Sequence, residues 1–143
     1  MGLGQAMSTA PDIVAGLGFR HATPAAEIVA LVERAFREAA LPLARLRHLA
    51  TAADRAGEPA IRAAAAQFGR ALVPVPPEAL EAADEGVVTR SARIVAARGV
   101  GSVAEAAALA AAGPGATLRT PRIASAGATC ALALRAQSVT QAP

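Results

Sequence analysis

The sequence contains no lysine, tryptophan or tyrosine, and it has only three phenylalanines among its 143 residues. Its basic side chains are fourteen arginines, spread along the chain among eleven acidic residues, for a formal net charge of +3. A nucleic-acid site usually combines clustered cations with aromatic side chains that stack on bases. This composition therefore argues against a nucleic-acid partner, and it leaves leucine, valine, isoleucine and alanine to build the core.

Cysteine and histidine are also scarce. The single Cys130 cannot form an internal disulfide, and its apolar surroundings are typical of a small buried side chain. His21 and His48 give no metal-ligand spacing with it, so we predict neither a metal nor a cofactor. No apolar run approaches the length of a membrane span and no signal-peptide pattern is present, which predicts a cytoplasmic protein without a membrane partner.

Short apolar runs alternate with helical apolar stripes along most of the chain. This pattern predicts strands near residues 12–17, 47–51 and 71–75, and helices near 24–40, 59–69, 76–84 and 102–113. Residues 86–99 fit either a strand or an irregular helix, and 122–126 with 128–134 predict a hairpin. Pro74 cannot donate to a strand ladder, which favours either an edge position or an early end for the third strand.

Strand–helix alternation implies parallel strand pairs with right-handed crossovers, whereas a terminal hairpin adds antiparallel pairing. We therefore predict an α/β protein, a three-layer α/β/α domain with a mixed sheet. A chain of this length suits a single domain, here residues 12–134, flanked by flexible termini at 1–11 and 135–143.

The segment after the first apolar run is the first candidate site. Gly16 and Gly18 predict a turn with a close backbone approach, and Thr23 is placed to cap the following helix. A turn that leads into a helix N-terminus favours anions, and Arg20 adds a bidentate donor for a carboxylate or phosphate. The pattern lacks the third glycine of a dinucleotide fingerprint, so a tight turn with a solvated arginine is an alternative interpretation.

The loop at residues 52–58 follows the second predicted strand. In open α/β sheets, ligands bind outside the carboxyl ends of the strands, so Arg20, His21, Arg55 and Glu58 are predicted to converge at one edge. Several arginines beside one carboxylate suit a ligand with several carboxylates or phosphates. A solvated ion pair between Arg55 and Glu58 is the alternative.

The helix predicted near residues 102–113 begins with a clear signal. Ser102 and Glu105 have the spacing of a capping box, in which each side chain bonds the other residue's backbone N–H group. This second helix N-terminus is a further candidate contact for an anion.

Four segments in one order along the chain resemble a known family. Together they are similar to the CobE family, itself similar to the C-terminal domain of CbiG, and both belong to cobalamin (vitamin B12) biosynthesis. The resemblance covers roughly residues 12–134. The segments are Gly16–Thr23, Asp54–Pro59, Gly99–Leu109, and Thr120–Arg122 with Ala128–Ala133.

The resemblance implies a protein that acts on the precorrin intermediates of corrin-ring synthesis. CbiG-type proteins open a lactone on cobalt-precorrin-5A and release acetaldehyde, whereas CobE is a stand-alone domain of the oxygen-dependent pathway. The family commonly has lysine at the positions of Arg55 and Arg122. Arginine keeps the charge for anion binding, but it cannot act as an amine nucleophile or transfer a proton.

Two functions follow from the residues and the resemblance together. The preferred one is a carrier that binds a precorrin-type tetrapyrrole, with other cobalamin-pathway enzymes as candidate partners, because no nucleophile triad is present. The alternative is a cobalt-precorrin-5A hydrolase-type enzyme in which Glu58 or His21 activates water as a catalytic residue. The predicted substrate-binding residues are Gly16, Gly18, Arg20, His21, Thr23, Arg55, Ser102 and Arg122.

Overall fold

The computed structural model describes residues 10–136, so the predicted termini lie outside the described residues except for 10–11 and 135–136. The strands are β1 (Ile13–Phe19), β2 (Leu46–Ala52), β3 (Ala71–Val75), β4 (Thr117–Ala124) and β5 (Ala128–Leu134). The α-helices are α1 (Ala25–Glu38), α2 (Pro59–Phe68), α3 (Pro77–Ala82), α4 (Ala92–Arg98) and α5 (Val103–Ala112). Short 3-10 turns cover Leu43–Arg45, Ala53–Arg55 and Ala83–Gly86.

The five strands form one mixed sheet in the order β3-β2-β1-β5-β4. β1, β2 and β3 are parallel, whereas β5 runs antiparallel to both β1 and β4. Helices α1 and α2 cover one face, and α3 and α5 cover the other. The predicted three-layer α/β/α fold with a mixed sheet is confirmed, as is the edge position of β3.

The two faces of the sheet differ in the size of their side chains. Large groups such as Leu17 and Phe36 fill the core under α1 and α2. On the other face, Val14 packs among the alanines of α5. Gly16 makes this close approach possible, since an added Cβ would collide with the carbonyl oxygen of Ala104 and lie 2.5 Å from the Ala108 nitrogen. Small residues on both surfaces thus set the short distance between helix and sheet.

The predicted glycine-bearing turn is wrong, because the first strand continues to Phe19 and includes both glycines. The backbone pairs with β5 along this whole length, with Gly16 opposite Ala131 and Gly18 opposite Thr129. A glycine lowers strand propensity, but a complete ladder on a central strand outweighs that local preference.

Two predicted helix caps also differ. The N-cap of α1 is Pro24 and has no side-chain hydrogen bond, whereas the Thr23 hydroxyl donates to the Gly127 carbonyl oxygen at 2.8 Å. Ser102 does cap α5, since its hydroxyl accepts from the Glu105 N–H at 3.2 Å. The reciprocal half of the capping box is absent, because the Glu105 carboxylate bonds other segments. In both places tertiary partners replace the local ones.

The segment that the sequence left open forms an irregular stretch followed by α4. Ser91 caps this helix by accepting from the Ile94 N–H, and Gly99 ends it with a φ of 77°. Strand β4 begins at Thr117, earlier than the predicted 122, because it pairs with β5 in spite of few apolar residues. Within residues 10–136 no single helix is long and apolar enough to cross a membrane, although the bent pair α4 and α5 passes that test jointly.

The close packing at Gly16 gives a stability prediction. Gly16→Ala should destabilise the fold by roughly 1–3 kcal/mol or more, because the new methyl forces α5 away from β1. Gly57→Ala is the matched control, since a Cβ there meets nothing within 4 Å and should change stability by less than about 1 kcal/mol. Urea unfolding measures both, and equal midpoints for the two variants would contradict the packing account.

Candidate functional site

A cavity of about 510 Å³ lies at the edge of the sheet where β1 and β2 end and β5 begins. Its walls come from the ends of the strands, the loops that follow them, α4 and the first turn of α5. This is the edge at which open α/β sheets bind ligands. The lining residues are 18–21, 51, 52, 55, 91, 93, 94, 98, 102, 103, 122 and 124–129.

The charge of the cavity wall is of one sign. Among the described residues that line it there are five arginines and no aspartate or glutamate. The arginines come from separate parts of the fold, namely the end of β1, the loop after β2, α4 and β4. They are Arg20, Arg55, Arg93, Arg98 and Arg122.

Two of these arginines are already paired. Arg55 donates from Nε to the Glu58 carboxylate at 2.6 Å and from Nη2 to the Phe19 carbonyl oxygen at 2.6 Å, and its guanidinium lies 4.5 Å from the Phe19 ring centroid. Arg98 donates to Asp54 at 2.8 Å, and this hydrogen bond is the main reason that the pKa of Asp54 is lowered. The bond from Arg55 to Phe19 joins the loop after β2 to β1, and the pair of Arg98 with Asp54 joins it to α4.

The other three arginines form no ion pair with any carboxylate in residues 10–136. Arg20 and Arg93 are exposed, and Arg122 is half-buried. Apolar groups lie between them, notably Ile94 and Val103 with several alanines. The site therefore offers separated cations beside apolar surface, which suits a ligand with carboxylates around an apolar body.

His21 and Glu58 form a second feature at the rim. The His21 Nδ1 atom lies 2.9 Å from a Glu58 carboxylate oxygen, with 80% of the His21 side chain exposed. A hydrogen on Nδ1 donated to Glu58 leaves Nε2 of a neutral imidazole as a proton acceptor. Glu58 also accepts from Arg55, so it orients the other two side chains and does not itself line the cavity.

The turn between β4 and β5 forms a further part of the wall. Glu27 of α1 accepts from the Ser125 hydroxyl at 2.5 Å and from the Gly127 N–H group at 2.6 Å. Both hydrogen bonds lower the pKa of Glu27, and the bond from Ser125 has the larger effect. The Gly127 carbonyl oxygen accepts from the Arg20 N–H at 2.9 Å. The backbone that bears the unpaired Arg20 is thus tied to an ordered turn.

Glu105 lies behind the wall and is completely buried. Its carboxylate accepts from the Val88 and Thr89 N–H groups, the Thr89 hydroxyl and the Arg122 N–H at 2.6–2.9 Å. Burial by itself would raise the pKa of Glu105. The hydrogen bonds of Thr89, Arg122 and Val88 together outweigh burial and lower the pKa below its ordinary value, which keeps the group ionised.

The structure brings most of the predicted site residues to one cavity. Those that line it are Gly18, Arg20, His21, Arg55, Ser102 and Arg122. Gly16 and Thr23 do not line it, because Gly16 packs under α5 and the Thr23 hydroxyl bonds the turn at Gly127.

Sequence reasoning missed Ser91, Arg93 and Arg98, which α4 brings to the cavity. The sequence held a signal for this helix, since Ser91 and Gly99 are a typical N-cap and C-cap at the right separation.

Metal-binding and nucleophilic groups have little part in this site. Among the described residues, no group of three or more histidine, cysteine, aspartate or glutamate side chains is placed to hold a metal ion. Cys130 lies in the core on β5, where burial raises the pKa of its thiol to about 12. It therefore behaves as a small apolar side chain, as predicted.

The fold and the cavity define a class, a small three-layer α/β domain with an arginine-lined cavity at the carboxyl edge of its parallel strands. A comparison with family models narrows this class. The model "Cobalamin synthesis G C-terminus" matches residues 13–133. The chain therefore belongs to the CobE/CbiG C-terminal family and is a protein of cobalamin biosynthesis.

Individual relatives agree with this family. Protein CobE of Sinorhizobium sp is 40% identical to this chain in an alignment of 142 residues. The alignment covers 96% of this chain and 92% of the relative. A crystal structure of CobE, a protein from the cobalamin (vitamin B12) biosynthetic pathway, has a TM-score of 0.80 at 33% identity, over 85% of this chain and 89% of that one. The cobalamin biosynthesis protein chiG from Agrobacterium tumefaciens has a TM-score of 0.71 at 34% identity, over 87% and 99% respectively.

Paired and unpaired arginines should differ in their effect on stability. Arg55→Ala removes the donor to Phe19 and Glu58 and should cost about 1–3 kcal/mol. Arg20→Ala removes an exposed, unpaired charge and should change stability by less than about 0.5 kcal/mol. Thermal and urea unfolding provide the comparison, and a larger loss for Arg20→Ala would refute the assignment of the two groups.

The lowered pKa of Glu105 gives a pH prediction. In acid, the Glu105 carboxyl binds a proton less readily in the folded protein than in the unfolded chain. Its contribution to the free energy of unfolding is therefore fully present above the ordinary carboxyl pKa, and it is lost as the pH falls below roughly 4. Glutamine cannot ionise, so Glu105→Gln lacks this pH-dependent contribution. The difference in unfolding free energy between the native protein and Glu105→Gln should therefore become smaller as the pH falls. Unfolding free energies measured from neutral to acidic pH test this, and a deficit that widens in acid would contradict it.

Proposed function

We propose that this protein binds a precorrin-type tetrapyrrole and carries it within the cobalamin pathway. The observation that carries the proposal is a cavity lined by five arginines and, among the described residues, by no acidic side chain. A precorrin is a flexible macrocycle with a fringe of acetate and propionate carboxylates. Such a ligand needs separated cations beside apolar surface, and charge-assisted hydrogen bonds would hold its fringe.

The spacing of the charges favours this ligand over a single phosphate group. A lone phosphate is usually bound by convergent donors at one helix N-terminus or glycine-rich loop. Here Arg20, Arg93 and Arg122 come from three separate elements, the end of β1, α4 and β4. The first turn of α5, at Ser102 and Val103, adds the positive end of a helix dipole to the same wall.

A second candidate function rests on the contact between His21 and Glu58. If the protein is a hydrolase that opens a ring lactone, His21 Nε2 would remove a proton from water while Glu58 orients the imidazole. Glu58 is less suited to be the base, because Arg55 also holds its carboxylate. The absence of lysine at Arg55 and Arg122 and the lack of a serine–histidine pair keep this candidate second.

Co-expression with the pathway enzymes tests the carrier directly. We expect the purified protein to be coloured by a bound tetrapyrrole at a fixed molar ratio, and the colour to be lost on unfolding. A colourless protein from cells that accumulate precorrins would count against a carrier function.

Arg20 gives the sharpest binding prediction. Arg20→Ala should weaken binding of uroporphyrin, a stable macrocycle with the same acetate and propionate fringe, by about ten-fold or more. Arg20→Lys should recover only part of the loss, because a bidentate donor becomes a point charge.

Arg37→Ala is the charge-matched control for this experiment, since Arg37 is exposed in the last turn of α1 and is not part of the cavity wall. Fluorescence titration at fixed ionic strength gives the affinities. Equal losses for Arg20→Ala and Arg37→Ala would reduce the interaction to non-specific charge attraction.

Glu58→Gln separates the carrier from the hydrolase. A carrier needs no proton transfer, so this variant should bind uroporphyrin within about two-fold of the native affinity. A hydrolase that depends on the His21–Glu58 contact should lose roughly 10²–10⁴ in turnover. The assay follows acetaldehyde release from the lactone-bearing intermediate. Release by the native protein that is lost in Glu58→Gln and in His21→Ala would favour the hydrolase.

A further inference from the structure

A buried carboxylate stands out in a helix that is otherwise almost entirely apolar. Glu105 is 0% exposed, and Ala104, Ala106, Ala107 and Ala108 around it are equally buried. Removing a charge from water is costly, and an apolar side chain at such a position is often as stable or more stable. Net stability alone therefore does not account for a carboxylate at this position. Its role is indicated by the segments that its hydrogen bonds hold in place.

The donors to Glu105 lie in two segments that supply unpaired cavity arginines. Val88 and Thr89 begin the stretch that leads into α4, which bears Arg93. The third backbone donor is the N–H group of Arg122 itself on β4. One carboxylate on α5 thus joins the α4 side of the cavity to the β4 side.

The segment that leads into α4 has few other anchors. Helix α4 contains no fully buried residue, and the Val88 side chain is 63% exposed. Its apolar contact with the core is the half-buried Ile94. The remaining fixed points are polar. Arg90 forms a bidentate pair with Asp84 at 3.1 and 3.2 Å, Arg98 donates to Asp54, and the Ser91 N–H group donates to the Gly101 carbonyl oxygen.

We propose that Glu105 is a positioning residue for carboxylate binding, which acts by holding the backbone that presents Arg93 and Arg122 to the cavity. The inference rests on the proposed function and extends it, since it names a residue that touches no ligand but sets where the ligand's carboxylates bind. The carboxylate is needed because it accepts from four donors at once, whereas a glutamine at the same place would bring its own N–H groups towards them.

Hydrogen exchange in the ligand-free protein tests the positioning. In Glu105→Gln, the amides of Val88, Thr89 and Arg122 should exchange at least about ten-fold faster, while those of β1 remain protected. Glu27→Gln is the matched control, because Glu27 also accepts from a hydroxyl and a backbone N–H but holds the β4–β5 turn. Unchanged exchange at these three amides in Glu105→Gln would overturn the proposal.

A double-mutant cycle with uroporphyrin tests whether Glu105 acts through the arginines. Arg93→Ala should weaken binding several-fold in the native background and by less than about two-fold in Glu105→Gln, because a misplaced arginine has little left to lose. The same cycle with Glu27→Gln should be additive. Additive effects of Glu105→Gln and Arg93→Ala would mean a general structural role and would overturn the positioning assignment.

Two further outcomes are distinguished by the design. If Glu105→Gln does not fold, Thr89→Val takes its place, because it removes only the 2.6 Å hydrogen bond of the Thr89 hydroxyl. Thr89→Val should be coupled to Arg93→Ala in the same direction, with a smaller coupling. Additive effects of these two variants on uroporphyrin binding would overturn the proposal. If the native protein does not bind uroporphyrin, the proposed function fails with this macrocycle. The positioning of the cavity wall is then decided by the hydrogen exchange alone.

Discussion

The close approach of α5 to the central strand β1 is the constraint on which the site depends. Gly16 has no side chain, so the helix backbone at Ala104 and Ala108 can rest directly on the strand. This fixes the start of α5 at the carboxyl edge of the sheet, with Ser102 in the cavity wall and Glu105 directly behind it. A glycine whose sequence context predicts a ligand-binding turn therefore shapes the cavity through helix–sheet packing.

The cavity arginines fall into two groups. Some form ion pairs with carboxylates of the protein, and others have a guanidinium group that can contact a ligand. Arg55 pairs with Glu58 within the loop after β2 and bonds the Phe19 carbonyl oxygen of β1, and the pair of Arg98 with Asp54 joins the same loop to α4. The unpaired Arg20, Arg93 and Arg122 surround the same space without a neutralising partner among the described residues. Because like charges repel, keeping them together without a ligand costs stability, and a polyanionic ligand would relieve that repulsion.

The sequence predicted the elements whose apolar periodicity is strong, and it failed where tertiary contacts replace local ones. Strands β1 to β3 and the helices after them have clear stripes and caps, so their existence and order could be predicted. Strand β4 was predicted too short, because its exposed threonines and arginines give no apolar alternation and only pairing with β5 defines it.

The residues of the site that lie at strand ends could be predicted, whereas the directions of side chains with distant partners could not. The convergence of Arg20 and Arg55 follows from the rule that parallel strands end at one edge. The directions of Thr23 and Glu105 do not follow from sequence, because a cap and a distant backbone group compete for the same side chain. In both cases the distant groups, at Gly127 and at Thr89, prevail over the local cap.

A carrier and a hydrolase make different demands on the same cavity, and the demands can be weighed against its geometry. A hydrolase needs a base held in a fixed position beside the bond to be cleaved, and the His21 side chain is 80% exposed at the rim, with Glu58 as its one ion-pair partner among the described residues. A carrier needs several contacts of moderate strength that can be released in turn, and separate arginines on β1, α4 and β4 supply them. Since α4 is held mainly by polar contacts, its arginines can move at lower cost than those on the sheet. For the proposed carrier, release would therefore begin on the α4 side, with the sheet side bound until the last step.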